Sequence, residues 1–415
     1  MKVLFVNTND TSGGAARAAW RIMRGVQQSG VETQMFVKNK NSQAEDVVPL
    51  SQFVPSGILY RAFDWIASKF KNKWQQHKWS PYMQTKQDVY MSDLRSTCIN
   101  GALQKLDFDI VHLHWINNRF LDISELVKIK KPIVWTLHDT WPFCGICHYF
   151  SECDKYQTHC GSCPMLGSKR EKDLSYEVFE KKLMAYKDLN LHIVTPSKWL
   201  GECAKKSALL GHFPVHVIPN CIDTDLFHPV VNKPIDQHKP FILYGAMNAA
   251  SDSRKGFAYL LSALQLLDQQ GLEAKLVVFG ANQQDLPMAF KHIEVSFIGY
   301  VNDNKALANL YSQADVMVVP SLDENLSNTI MESLSCGTPV VGFNIGGNGD
   351  MIDHKKNGYL AKERDSEDLA IGIRYCIEHN NDNSLGENAR ESVLKRYAIV
   401  VVARQYKVLY ESLRQ

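Results

Sequence analysis

Short runs of β-branched and aliphatic residues alternate, from one end of the 415-residue chain to the other, with longer segments whose apolar positions recur at helical spacing. That alternation predicts an α/β fold of parallel sheets with crossover helices. In the first half the predicted strands are Val3–Val6, Thr33–Val37, Ile110–Leu113, Ile133–Leu137, Ile193–Thr195 and Val215–Ile218; in the second they are Phe241–Tyr244, Lys275–Phe279, Val295–Ile298, Val316–Val319 and Val340–Phe343. Each half starts a fresh series. Between them, Ile218-Pro219-Asn220-Cys221-Ile222-Asp223 leads into a polar, proline-spaced run from His228 to Pro240, which suits a linker and a domain start. The expected organisation is one Rossmann-like domain over residues 1–225, a second over 226–390, and a closing helix over 391–415 patterned through Leu394, Val401, Tyr406 and Tyr410.

Composition adds little to this picture, since a formal net charge of +2 does not single out nucleic acid as a partner. No stretch reaches the roughly 18 uninterrupted apolar residues of a membrane span. The opening MKVLFVNTND enters a strand without the apolar core of a signal peptide, so the expected location is cytoplasmic. Ten cysteines are present, and five of them fall between Cys144 and Cys163, which points to a local site rather than a secreted disulfide framework.

Candidate chemistry gathers where strands end and helices begin, the place where α/β sheets bind ligands. After Val316–Pro320 comes SLDENLSNTIMESLSCGTPVV, with Glu324 in the loop and a helix opening at Ser327 or Asn328. The amides of Ser327, Asn328 and Thr329 would be unpaired donors at the positive end of the helix dipole, an anion site of diphosphate size. Glu332 further along can accept from ribose hydroxyls and Glu324 from sugar hydroxyls; two solvated helix-start acids fit the spacing equally. Arg254 and Lys255, after Phe241–Tyr244, can neutralise a departing diphosphate, although such a pair taken alone is usually a solvated surface pair. In the first half, Gly13-Gly14 joins strand to helix and lets backbone approach a ligand, or simply supplies a positive φ. His138 and Asp139 follow Ile133–Leu137 directly, as ligand contacts or as a capping pair.

Cys144-Gly-Ile-Cys147 and Cys160-Gly-Ser-Cys163, with Cys153 between them, have the spacing of a structural zinc site; an unmetallated loop is the other reading. Residues 57–79 place Leu59, Phe63, Ile66, Phe70 and Trp74 near helical spacing among five Lys/Arg and one acid. A basic amphipathic helix of this kind can lie on an anionic membrane surface or pack against its own domain.

With these residues in view, the chain resembles glycosyltransferase family 4 over essentially its whole length. The resemblance rests on Glu324 and Glu332 followed by Cys336-Gly337-Thr338-Pro339-Val340-Val341, supported by Gly13-Gly14, His138, Ile218-Pro219-Asn220, Lys255-Gly256, Pro320-Ser321, Gly346-Gly347 and Asn357-Gly358. Arg254-Lys255-Gly256-Phe257 and the TLHDTWPFCGICHYF segment make it most similar to bacterial exopolysaccharide and colanic-acid-type enzymes. The resemblance implies a GT-B fold, two Rossmann-like domains facing across a cleft, with the C-terminal helix crossing back to an N-terminal acceptor-binding domain that carries a cysteine-rich insert over 144–163. It further implies retaining, metal-independent transfer of a hexose-type sugar from a nucleotide-diphosphate sugar to a glycan or lipid-linked saccharide in surface polysaccharide synthesis. Glu324 would contact donor-sugar hydroxyls and Glu332 the ribose. Lys255 would hold the diphosphate, His138 the donor sugar near its reacting face, and Cys147, Cys153, Cys160 and Cys163 a structural zinc. Asn325, Ser327, Cys221 and Gly349-Asp350 depart from the family pattern, and Arg254 would substitute for a phosphate arginine missing upstream of Lys255. An epimerase of the same fold and a non-catalytic nucleotide-sugar-binding protein are the competing readings.

Overall fold

The computed structural model describes residues 1–53, 82, 100–230, 239–245, 252–282, 289–380 and 382–414; the basic segment 57–79 lies outside them. The chain forms two compact units, Met1–Ile218 together with Ala403–Gln415, and Pro219–Val402.

In the first unit, β1 (Lys2–Asn9), β2 (Glu32–Asn39), β3 (Val47–Pro49), β4 (Ile110–Leu113), β5 (Ile133–Thr136), β6 (Leu191–Thr195) and β7 (Val215–Val217) form one sheet in the order β3-β2-β1-β4-β5-β6-β7. Every pairing in it is parallel. Parallel strands are covered on both faces, and β4 and β5 are accordingly buried at every position. The second unit repeats the plan with β8 (Phe241–Gly245), β9 (Ala274–Phe279), β10 (Ile293–Phe297), β11 (Val316–Val319), β12 (Val340–Phe343) and β13 (Gly358–Ala361), all parallel, in the order β10-β9-β8-β11-β12-β13. Side chains of β8 alternate between two cores: Ile242 and Tyr244 enter one cluster and Leu243 the other.

Strand order reverses between β1 and β4 in the first sheet and between β8 and β11 in the second. At such a switch point the loops leaving the two strands turn to opposite faces and open a crevice at the carboxyl ends. Each unit therefore carries one ligand-receptive edge, and the edge is set by topology before any side chain is considered. Among the described residues no helix is long and apolar enough to cross a membrane.

The first unit is completed by the last residues of the chain. From the helix Ile399–Ser412, Tyr410 bonds His112 Nδ1 at 2.7 Å and Tyr406 bonds Thr136 Oγ1 at 3.0 Å, while Thr136 Oγ1 also bonds His112 Nε2 at 2.7 Å. These groups are fully buried, so each would be costly if left unpaired.

Candidate active site

In the second unit the switch-point loops are pressed together by two glycines. Gly256, after β8, has φ +71, and a Cβ there would collide with the Pro320 carbonyl after β11; Gly346, after β12, has φ +48, and a Cβ there would collide with the Glu324 carbonyl. Leu322 N–H also donates to the Arg254 carbonyl at 2.7 Å. Only glycine combines these dihedrals with so close an approach, so three loops meet backbone to backbone. The side chain of Lys255 then faces Glu324, with Nζ 3.2 Å from Oε2. Both groups keep part of their surface in water, 26% for Lys255 and 13% for Glu324, so the pair is held weakly enough to open for a ligand.

Beside this pair the helix Asn328–Ser335 begins without a capping side chain. Its cap residue, Ser327, bonds Thr329 Oγ1 through its own hydroxyl at 2.8 Å instead, and Asn328 Oδ1 is buried without a partner. A helix start left open in this way presents donors and a partial positive charge to an anion. The far end closes normally, at Gly337 with φ +74.

Two of the expected residues are placed differently from their neighbours. Arg254 forks onto Asp252 within its own turn, through Nε at 3.0 Å and Nη2 at 2.7 Å. Burial alone pushes the Asp252 carboxyl up, and the Arg254 hydrogen bonds and charge outweigh it, so Asp252 lies below its usual value and stays ionised. Glu332 is 2% exposed, and its Oε2 accepts from the Tyr311 hydroxyl at 3.2 Å. The structure thus brings Lys255, Glu324, Ser327, Asn328 and Thr329 to one edge and sets Arg254 and Glu332 against protein partners.

The first unit's edge carries the other expected residues. Gly13, with φ +95, caps the helix Gly14–Gln28, also without a side-chain hydrogen bond, and a Cβ there would meet open space. Glycine is needed at this position for its dihedral, and the opening in front of it leaves the first-turn amides approachable. The same loop is anchored by buried Asp10, which accepts from the amides of Thr11, Asn41 and Ser42. His138, after β5, shares a hydrogen bond with His114, Nε2 to Nδ1 at 2.9 Å, with the rings stacked at 5.2 Å. His114 Nε2 is buried and has no partner. An orphaned lone pair costs less there than an orphaned N–H, so His114 donates from Nδ1 and His138 carries its proton on Nδ1. Burial lowers the His138 imidazole to about 4, against the opposing pull of Asp139, so the ring is neutral.

The structure does not support the zinc expectation. All five thiols, Cys144, Cys147, Cys153, Cys160 and Cys163, line one small cavity, yet among the described residues no group of three or more His, Cys, Asp or Glu side chains is arranged to hold a metal ion. Cys147 and Cys163 hydrogen-bond each other, Cys160 Sγ accepts from the Gly145 amide at 3.2 Å, and fully buried Ile146 fills the turn between the first pair. The loop closes on an apolar core and on Lys182, a buried lysine that the spacing of residues did not reveal. Its ammonium lies over the Trp141 ring at 3.6 Å and donates to the carbonyls of Trp141, Cys144 and Gly145.

Residues 12–226 match the family described as Glycosyltransferase Family 4, and residues 239–379 match the one described as Glycosyl transferases group 1. The chain is 30% identical over 171 residues to an uncharacterized glycosyltransferase of Methanocaldococcus jannaschii, which covers 38% of this chain and 43% of that one. It is 26% identical over 248 residues to a putative colanic acid biosynthesis glycosyl transferase, WcaC, of Escherichia coli K12, covering 57% and 58%. The chain thus spans about half the length of these relatives. Among solved structures it is similar to sucrose-phosphate synthase from Thermosynechococcus elongatus, at TM-score 0.64 and 18% identity over 99% of this chain and 98% of that one. It is also similar to Anabaena HepE in complex with UDP-glucose, at TM-score 0.59 and 16% identity over 99% and 100%. These likenesses show a GT-B fold, and the matched sequence shows that the chain belongs to glycosyltransferase family 4.

Proposed function

We propose that the protein is a retaining glycosyltransferase that moves a hexose-type sugar from a nucleotide-diphosphate sugar to a saccharide acceptor in bacterial surface polysaccharide synthesis. The observation that carries this reading is the Lys255–Glu324 pair at the second switch point, beside an uncapped helix start. Lys255 and the amides of Asn328 and Thr329 grip the diphosphate, and Glu324, released from Lys255, accepts from hydroxyls of the donor sugar. Charge that grows on the leaving diphosphate during bond breaking then meets fixed donors, which favours the transition state over bound substrate. Attack comes from the leaving-group face without a catalytic metal, as in the family's retaining members. The ligand roles of His138 and of Gly13-Gly14 rest on the family resemblance. Glu332 keeps its ribose role on resemblance alone, with one of its oxygens already accepting from Tyr311.

The acceptor is a glycan or a lipid-linked saccharide; a relative 23% identical over 227 residues is a UDP-Gal:alpha-D-GlcNAc-diphosphoundecaprenol galactosyltransferase from Escherichia coli. A cytoplasmic enzyme attached to an anionic membrane surface through residues 57–79 fits a lipid-linked acceptor and the segment's basic, aromatic composition. Co-sedimentation with phosphatidylglycerol vesicles should exceed that with neutral vesicles, and equal binding to both would remove the membrane reading.

A panel of UDP-, GDP- and ADP-sugars is expected to contain one donor that raises the melting temperature, since a ligand of the native state stabilises by mass action. That donor should then release nucleoside diphosphate slowly. Stabilisation without release would favour a binding protein, a free sugar isomer would favour an epimerase, and indifference to every donor would end the proposal.

A further inference from the structure

The loop leaving β5 runs from His138 and Asp139 through Trp141 and Cys144 to His148, and the buried Lys182 holds its middle. Asp139 is gripped within it: Oδ1 accepts from the Trp141 amide at 2.9 Å, and Oδ2 from the Trp115 indole N–H at 3.2 Å and from His148 Nδ1 at 2.7 Å. Burial alone pushes the Asp139 carboxyl up, but the charge and hydrogen bond of His148, then the Trp141 amide and His138, outweigh it and keep it ionised. A carboxylate on Nδ1 makes that nitrogen a donor and sets the direction in which Nε2 points.

Nε2 of His148 makes no hydrogen bond among the described residues, and it is absent from the buried polar atoms that lack a partner. With 11% of the side chain exposed, this oriented nitrogen is not sealed off from solvent. Trp115 stands beside it, half-buried, with ring centroids 6.1 Å apart and planes tilted by 32°. Trp115 follows β4 and Asp139 follows β5, so the group lies at the carboxyl edge next to the first sheet's switch point. A loop staple would account for Asp139 and Nδ1, but it has no use for an accessible second nitrogen beside an aromatic ring.

We propose that Trp115, Asp139 and His148 form a saccharide subsite of the first unit. His148 Nε2 forms a hydrogen bond with a hydroxyl of the acceptor sugar, which can donate or accept, and the Trp115 ring lies against the C–H face of its pyranose. Asp139 is the positioning residue, because it acts on the sugar only through His148 and Trp115. This inference rests on the transferase reading and gives its acceptor a location.

His148→Asn separates the subsite from the staple, because the asparagine amide still donates to Asp139 while nothing replaces Nε2. With the full-length chain and an N-acetylglucosaminyl diphosphate on a plain alkyl chain as probe, the substitution is expected to raise the acceptor KM about tenfold, the loss of roughly one hydrogen bond. The KM for the nucleotide sugar and the melting temperature report on loop collapse and should stay near wild type. An unchanged acceptor KM, or equal changes in both KM values, overturns the inference. Should the probe fail to accelerate the wild-type enzyme, the His148 ring signals are followed by NMR during titration with methyl glycosides of glucose, galactose and N-acetylglucosamine. A shift confined to His148 and Trp115 supports the subsite, and no shift with any of them overturns it. Failure of the transferase reading itself looks different, as no nucleoside diphosphate released under any condition.

Discussion

Lys255→Ala is expected to lower turnover of the nucleotide sugar by about a hundredfold or more, the usual cost of removing one preorganised donor from a developing anion. The fold should not suffer, because the Lys255–Glu324 pair is partly exposed and pairs of that kind contribute little to stability. Neighbouring Arg254 provides the contrast. It is forked onto Asp252 in the same turn, so Arg254→Ala should cost only a few-fold in turnover, although the two cations are adjacent in sequence. Release of nucleoside diphosphate by purified variants, with melting temperatures measured alongside, checks both. Wild-type turnover in Lys255→Ala would refute the phosphate assignment.

Mild acid is expected to destabilise the first unit steeply between pH 6.5 and 5. His112, His114 and His138 are held neutral chiefly by burial, the first two well below their usual value and His138 at about 4. In the unfolded chain each titrates near 6.5. Below that pH the unfolded state binds protons that the native state refuses, so stability is complete above pH 6.5 and falls as pH drops toward the native values. Each histidine still neutral at pH 5 contributes a loss of about 2 kcal/mol, against a typical domain stability of roughly 5–15 kcal/mol. Depressed carboxylates such as Asp139 act in a separate window, at and below their usual value of 3.8. Urea unfolding at pH 7.5 and pH 5, repeated with His138→Gln to remove one proton from the slope, tests this; a midpoint that does not move would refute it.

Most of the sheet architecture was legible because strands buried on both faces read as unbroken apolar runs: Val316–Val319 and Val340–Phe343 have the bounds the pattern gave them. The strands β3 and β13 escaped the same reading. β3 is three residues ending in Pro49, and β13 opens on Gly358, which looks like a turn residue but is required because a Cβ there would collide with the Val340 backbone. At the site, strand-end position singled out Lys255 and Glu324, and the fold brings those two ends together. Sequence could not show that Asp252 would take Arg254, or that Tyr311, on another helix, would bury Glu332. His148 carried no pattern at all: it is joined to Asp139 across nine residues of irregular loop, and only the folded path makes them a pair. The cysteine spacing was no guide to the fold of its loop for a related reason, because it counts residues between thiols and says nothing of the apolar side chains the turns enclose.

The hydroxyls of Tyr406 and Tyr410 bear on how the protein can be made. As the chain leaves the ribosome, Met1–Ile218 emerge first, yet the partners of His112 and Thr136 arrive only after the whole of the second unit has been translated. Until then His112 and Thr136 keep their bond to each other, and the face that the last helix covers is left open to water. Expressing residues 1–218 alone would freeze it in that unfinished condition, whereas fusing 403–412 back through a short linker supplies the missing closure.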